Sequence, residues 1–305
     1  YSNSFLYYST PEDGARSTKG WFKVTPGYYL QKDKYEDGTD YWYYSDGSGK
    51  LVTNEIKTIN GKKYTFDTDG KMQYGWVKDG ETQYDDNAWQ DAEYYFGDEN
   101  DGAMAEGWKE IAIKDDQPGD NYWDEDQTRW FYFKASGKKE KNQTGKTING
   151  RKYGFDEYGR MNAGWVTEAT TSNASVKDGG KQGIATYSNS FLYYSTPEDG
   201  ARSTKGWFKV TPGYYLQKDK YEDGTDYWYY SDGSGKLVTN EIKTINGKKY
   251  TFDTDGKMQY GWVKDGETQY DDNAWQDAEY YFGDENDGAM AEGWKEIAIK
   301  DDQAT

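Results

Sequence analysis

The feature that most constrains this chain is repetition. Residues 187–303 copy residues 1–117 without a single change, at an offset of 186. Two identical stretches of 117 residues make a tandem array, in which each copy must fold by the same local rules. Such an arrangement adds little to a one-site enzyme and much to a binder, because linked weak sites gain avidity.

A shorter repeat lies inside the 186-residue unit. Its clearest form runs from Ile59 to Trp76, INGKKYTFDTDGKMQYGW. A second instance is Ile148 to Phe155 followed by Gly159-Arg160-Met161 and Gly164-Trp165, and a third is Tyr94-Tyr95-Phe96 with Gly102-Ala103-Met104 and Gly107-Trp108. Looser forms begin at Tyr7-Tyr8, Trp42-Tyr43-Tyr44 and Trp130-Phe131. Six units per 186 residues result, and four more in the second copy. Within one unit, Tyr64-Thr65-Phe66 alternates with period two, Asn60-Gly61 marks a turn before the strand, and Asp69-Gly70 a turn after it. Each unit therefore reads as a β-hairpin. A lone hairpin is marginal in water, so the units must bury their aromatic faces on one another. The expected fold is all-β, an elongated solenoid of about ten stacked β-hairpins with almost no helix.

Composition supports a layered rather than a single-core architecture. Leu, Val and Ile together number 24 of 305 residues, whereas Trp, Tyr and Phe number 56. So few aliphatics beside 30% charged residues would favour disorder, but each large aromatic buries roughly 150–250 Å². Successive Gly-Trp positions, counting Ile56 and Gly145 as degenerate members, are spaced 35, 20, 32, 37, 20 and 42 residues. Twenty is the basic period, and the longer steps carry insertions of 15, 12, 17 and 22 residues, expected as extended hairpins or loops. The longest, 167–186, has no aromatic residue and reads as a linker between a first set of six hairpins (1–166) and a second set of four (187–305).

Several chemistries are excluded. The chain has no His and no Cys, so a Ser-His-Asp triad, a thiolate nucleophile, a zinc finger and a disulfide framework are all impossible. A net charge of −18 argues against nucleic acid and anionic membrane surfaces. Nothing approaches 18 consecutive apolar residues, so no membrane insertion is expected, and the residues from Tyr1 show no signal-peptide pattern. The acidic stretches Asp67-Thr68-Asp69-Gly70, Asp98 to Gly102 and Asp124-Glu125-Asp126 lack EF-hand spacing and read first as turns. No metal and no cofactor are expected. Paired carboxylates are everywhere among 55 acidic residues, and identical copies offer no unique pocket, so no catalytic residue is nominated and the chain is not read as an enzyme.

The pattern GW…(W/Y)YF…DG.M…GW with INGKKY between resembles the cell-wall-binding repeats of Gram-positive surface proteins. These include choline-binding modules, glucan-binding repeats of streptococcal glucosyltransferases and the C-terminal repeats of clostridial toxins. The resemblance implies a non-catalytic, secreted or cell-surface module that binds cell-wall polymer or glycan, with choline or sugar rings held in aromatic seams. Carried over residue by residue, it nominates Trp21, Trp42 and Tyr64; Trp108, Trp130 and Tyr153; and Trp207, Trp228 and Tyr250. A variant cage would use Trp76 with Tyr94, and Trp262 with Tyr280. Ile56, Gly145 and Ile242 stand where the family has Trp, so cages at those steps should be missing or altered. The competing reading is an adhesin array whose inserted loops bind a host protein, with the hairpins as scaffold. Ala304-Thr305 repeats Ala185-Thr186, the pair before the restart at Tyr187; one reading is that a further YSNSF copy follows, the other that a two-residue match is coincidence.

Overall fold

The computed structural model describes residues 5–25, 38–113, 127–167, 191–196, 198–210 and 225–299. The insertion residues 26–37, 114–126, 168–190 and 211–224 lie outside these, and with them most of the expected linker. Among the described residues the chain is almost entirely antiparallel β, forming nine small sheets, and its helices are the four-residue turns Ala88–Asp91 and Ala274–Asp277. The all-β hairpin architecture read from the repeats is what forms.

Each Gly-Trp strand pairs with the aromatic strand that follows it in sequence. Gly20–Val24 pairs with Tyr41–Ser45, placing Trp21 opposite Tyr44 and Lys23 opposite Trp42. Glu55–Ile59 pairs with Lys62–Phe66 around Asn60-Gly61, whose φ angles of 50° and 83° are those of a left-handed two-residue turn. Gly75–Lys78 pairs with Tyr94–Asp98, and Gly107–Ile113 with Gln127–Phe133. The insertions thus fall between the two strands of a hairpin. The one at 79–93 is described: Glu81–Thr82 folds back on Gly75–Lys78, and Ala88–Asp91 buries Trp89.

Aspartates close the turns after the aromatic strands. Asp67 Oδ1 accepts the backbone N–H groups of Asp69 and Lys71, and Asp46, Asp156, Asp232 and Asp253 do the same in their own hairpins. The acidic stretch read as a turn is one, for the reason that side-chain carboxylates satisfy turn amides. Burial is the leading influence on Asp67 and pushes its pKa up; the same effect takes Asp253 to about 6. Among the described residues no group of three or more acidic side chains gathers as a metal would need.

Hairpins stack through a knob and a socket. A Cβ built on Gly102 would lie 2.7 Å from Met72 Cε and 2.9 Å from the Gln73 carbonyl, and one on Gly137 would lie 2.2 Å from Met104 Sδ. The glycine of one hairpin therefore receives the methionine of the preceding hairpin, which is the physical meaning of the DG.M motif. Gly200 receives Met161, and Gly288 receives Met258. Between knobs the core is aromatic: Tyr44, Val52, Ile59, Phe66 and Met72 form one buried cluster, reproduced by Tyr230, Val238, Ile245, Phe252 and Met258.

The described residues form two compact units, one comprising those up to 113 with 127–140, the other those from 141 onward. In the second unit, Gln143–Ile148 pairs with Arg151–Phe155 across a bulge near Gly145, and Gly164–Thr167 pairs with Phe191–Tyr194. Gly206–Val210 with Tyr227–Ser231 and Glu241–Ile245 with Lys248–Phe252 then repeat the first-copy hairpins register for register.

Candidate functional site

Trp21 and Lys23 alternate on one face of their strand, and Trp42 and Tyr44 stand opposite on the same face. The next hairpin adds Tyr64 and Phe66. Around Trp21 the ring centroids lie at 6.4 Å (Trp42), 5.1 Å (Tyr44), 4.8 Å (Tyr64) and 5.7 Å (Phe66), the first three edge to face. Edge-to-face contacts of this kind are the favoured packing of aromatic rings. A cavity of about 210 Å³ opens there, lined by Trp21, Trp42, Tyr64, Met72, Asn100 and Asp101. The three residues nominated from the family pattern are thus brought together by two successive hairpins. The second copy reproduces the rings: Trp207 lies 6.4 Å from Trp228, 5.2 Å from Tyr230 and 4.8 Å from Tyr250.

An ammonium of the protein's own stands beside this cage. Lys23 Nζ lies 5.7 Å from the Trp42 centroid and donates to Asn100 Oδ1 at 3.2 Å. Lys209, Trp228 and Asn286 repeat both contacts in the second copy. The face of Trp42 therefore already attracts a cation. Among the described residues, the buried indole N–H groups of Trp42 and Trp228 have no acceptor.

The Trp76 seam is different. Trp76 is buried against Tyr95 at 5.0 Å and Phe131 at 5.2 Å, and it is Tyr95, not Tyr94, that stands opposite it. Tyr94 instead packs with Val77, Phe96 and Met104. The Lys139 ammonium fills the space over Trp76, 5.1 Å from its ring and 5.8 Å from Phe131, and donates to the Trp89 carbonyl. In the second copy Trp262 meets Tyr281 at 5.0 Å and Tyr280 is 48% exposed.

Trp108 lies 6.2 Å from Trp130 and 5.2 Å from Tyr132, an edge-to-face pair like that of Trp21. Tyr153, nominated with them, belongs to the other unit, where it is buried and the Arg151 guanidinium lies 5.9 Å from its ring.

The degenerate positions have physical substitutes. At Gly145 a Cβ would lie 3.0 Å from Arg202 Nη1, so the guanidinium takes space that a larger residue would claim, and it donates to the Thr144 carbonyl at 2.9 Å. Ile56 and Ile242 remain about half exposed. Sequence reading passed over Lys23, Asn100, Phe131 and Lys139. The first was legible, since period two puts Lys23 beside Trp21; Asn100 is 77 residues away from Lys23, and nothing local announces it.

No family model matches the chain. It is 28% identical to glucosyltransferase-S of Streptococcus mutans serotype c over a 292-residue alignment, covering 83% of this chain and 17% of that protein. Against glucosyltransferase-I of Streptococcus downei it is 25% identical, covering 82% and 18%. The chain thus spans less than a fifth of the length of these relatives. The crystal structure of choline binding protein F from Streptococcus pneumoniae shares the fold, with 20% identity, a TM-score of 0.51, and coverage of 95% of this chain and 85% of that one. A structure of the same protein in complex with ipratropium matches with the same TM-score.

Proposed function

We propose that this chain, whose hairpins are of the choline- and glucan-binding repeat type, is a non-catalytic module that attaches a Gram-positive surface protein to cell-wall polymer or glycan. One observation carries the reading. Rings from two successive hairpins surround an open cavity at Trp21, Trp42 and Tyr64, and the second copy repeats the arrangement at Trp207, Trp228 and Tyr250. A cavity lined by aromatic rings suits a quaternary ammonium, held by cation–π attraction, or a sugar ring, held by stacking. At about 0.5–2 kcal/mol per ring, three rings yield a site in the millimolar range. Repeated sites convert that weakness into firm attachment to a polymer that itself repeats. The names of the relatives point to both ligand classes: choline binding protein F to choline, the glucosyltransferases to glucosyl polymers.

The test is titration with choline and, separately, with a soluble α-glucan, followed by Trp fluorescence and by calorimetry. Saturable binding of either, lost in the Trp21→Ala/Trp207→Ala double variant, supports the reading. No response to either ligand up to tens of millimolar defeats it.

A further inference from the structure

The Trp21 and Trp76 seams lie in the same compact unit and share one ring frame. Tyr44 stands opposite Trp21 and Tyr95 opposite Trp76, with ring centroids 5.1 and 5.0 Å away. In the first seam the next hairpin adds Tyr64 edge to face at 4.8 Å and Phe66, tilted, at 5.7 Å. In the second it adds Phe131 edge to face at 5.2 Å and Phe133, tilted, at 6.1 Å. Corresponding places hold rings in corresponding attitudes.

The residue that follows the frame differs. Met72 bridges to Phe66, and its amide donates to the Trp42 carbonyl; Lys139 bridges to Phe133, and its amide donates to the Glu93 carbonyl. Lys139 thus holds the repeat position that carries methionine at Met72, Met104 and Met161, which pair with Phe66, Phe96 and Phe155. Glu93 holds the position of Trp42, and its carboxylate lies 3.1 Å from Lys138 Nζ. Met72 turns its thioether towards Gly102 of the next hairpin, whereas Lys139 reaches back into the seam. Its ammonium lies 5.1 Å from the Trp76 centroid and 5.8 Å from Phe131 and donates to the Trp89 carbonyl, and the residue is only 4% exposed. A lysine in an apolar slot gives up the hydration of a full charge, a cost that methionine does not incur. Cation–π contacts and a carbonyl offset that cost, and they are the contacts a cationic ligand would make there. The repeat shows the exchange of residue; only the structure shows where the ammonium goes.

We propose that Lys139 is the resident ligand of the Trp76 seam: its ammonium takes the place among the rings that a cationic ligand would take, and the seam is closed to ligands from outside. Lys139 thereby decides which steps of the array bind, and a polymer held by the array passes over this one. That consequence for valency rests on the reading of the Trp21 seam as a ligand site. The occupancy of the Trp76 seam by Lys139 does not.

Vacating the seam tests this. Propylammonium has the carbons and the nitrogen that Lys139→Ala removes, and 1-propanol is its uncharged counterpart. Urea unfolding and Trp fluorescence are followed in the parent chain and the variant side by side, at equal ionic strength. So few contacts imply a dissociation constant on the order of 10 mM. About 0.1 M propylammonium should then raise the folded-to-unfolded ratio of Lys139→Ala roughly tenfold beyond any effect on the parent, with 1-propanol doing far less. Lys139→Met restores the methionine of the other hairpins, so it should fold and likewise gain a propylammonium response. In the native parent chain, reductive methylation read by peptide mapping should modify exposed Lys62 and spare Lys139. Variants that respond to propylammonium no more than the parent overturn the proposal. Equal rescue by 1-propanol overturns it too, since Lys139 would then merely fill volume, as does methylation of Lys139 as fast as of Lys62. A parent chain that ignores both choline and α-glucan defeats the reading of the Trp21 seam and leaves the propylammonium result standing.

Discussion

Removing the ammonium beside the cage should strengthen, not weaken, the capture of a cationic ligand. Lys23 Nζ lies 5.7 Å from the Trp42 ring, and Lys209 Nζ lies 5.7 Å from Trp228. Both lysines are exposed, so each contact contributes about 0.5–1 kcal/mol, which an incoming quaternary ammonium must displace to use the same ring face. If the lysine stays, two like charges about 6 Å apart repel by ~0.7 kcal/mol in water and more where the cavity excludes solvent. The Lys23→Met/Lys209→Met double variant keeps the stem and removes the charge. Its affinity for choline should rise roughly two- to fivefold, from about 0.5–1 kcal/mol of relieved competition, whichever of the two routes the ligand takes. Affinity for a neutral α-glucan should change less wherever the lysine can stay in place, because a neutral ring meets no like-charge repulsion. Calorimetry on both chains with both ligands is the assay. Unchanged choline affinity, with Trp21→Ala/Trp207→Ala still abolishing binding, would place the lysines outside the ligand's path. Weaker binding would make Lys23 part of the cage wall, and the competition argument would be refuted.

Three further outcomes concern stability, all read by urea unfolding. Gly102→Ala drives a methyl to 2.9 Å from the Gln73 carbonyl and should cost about 1–3 kcal/mol, while Gly47→Ala, with nothing within 4 Å, should be near neutral. Arg160→Ala strips the buried Asp156 of its 2.6 Å ion pair and should cost about 3–5 kcal/mol, whereas an exposed pair such as Lys62–Asp101 should contribute less than about 1 kcal/mol. Asp253 has a folded pKa of about 6 against 3.8 for the free side chain, so the folded state holds the extra proton. Its contribution is fully present below pH 3.8 and is lost as pH rises through 6. The stability of Asp253→Asn relative to the parent should therefore climb between pH 4 and 7, by up to ~3 kcal/mol, and a flat difference would contradict the burial argument.

The hairpins were legible because they rest on local chemistry. Asn60-Gly61 can take left-handed φ at both turn positions, and Tyr64 and Phe66 share a face by alternation alone, so neither needs a distant partner to be recognised. The Trp21, Trp42 and Tyr64 grouping was legible only through the family pattern, since it joins two hairpins. The Trp76 seam shows where such a carry-over stops. Register puts Tyr95 rather than Tyr94 opposite Trp76, and Lys139, 63 positions further along, occupies the space over the ring. No local pattern marks a lysine as the filler of a seam two hairpins away.

The duplicated 117 residues act as an internal control on what sequence alone determines. Both copies make the same turns, the same strand registers over residues 20–104 and 206–290, and the same ring geometry around Trp21 and Trp207. These contacts lie within a hairpin or between immediate neighbours, and every copy brings its own. Burial is another matter. Trp89 is buried and its copy Trp275 half-buried; Trp108 is partly covered and its copy Trp294 fully exposed; Leu6 is exposed and its copy Leu192 buried. The residues are the same in each pair, so no reading of them in isolation separates the members. Only the tertiary structure decides, because the hydrophobic surface of a stacked hairpin is removed from water by the hairpin packed against it, and the two members of each pair have different neighbours.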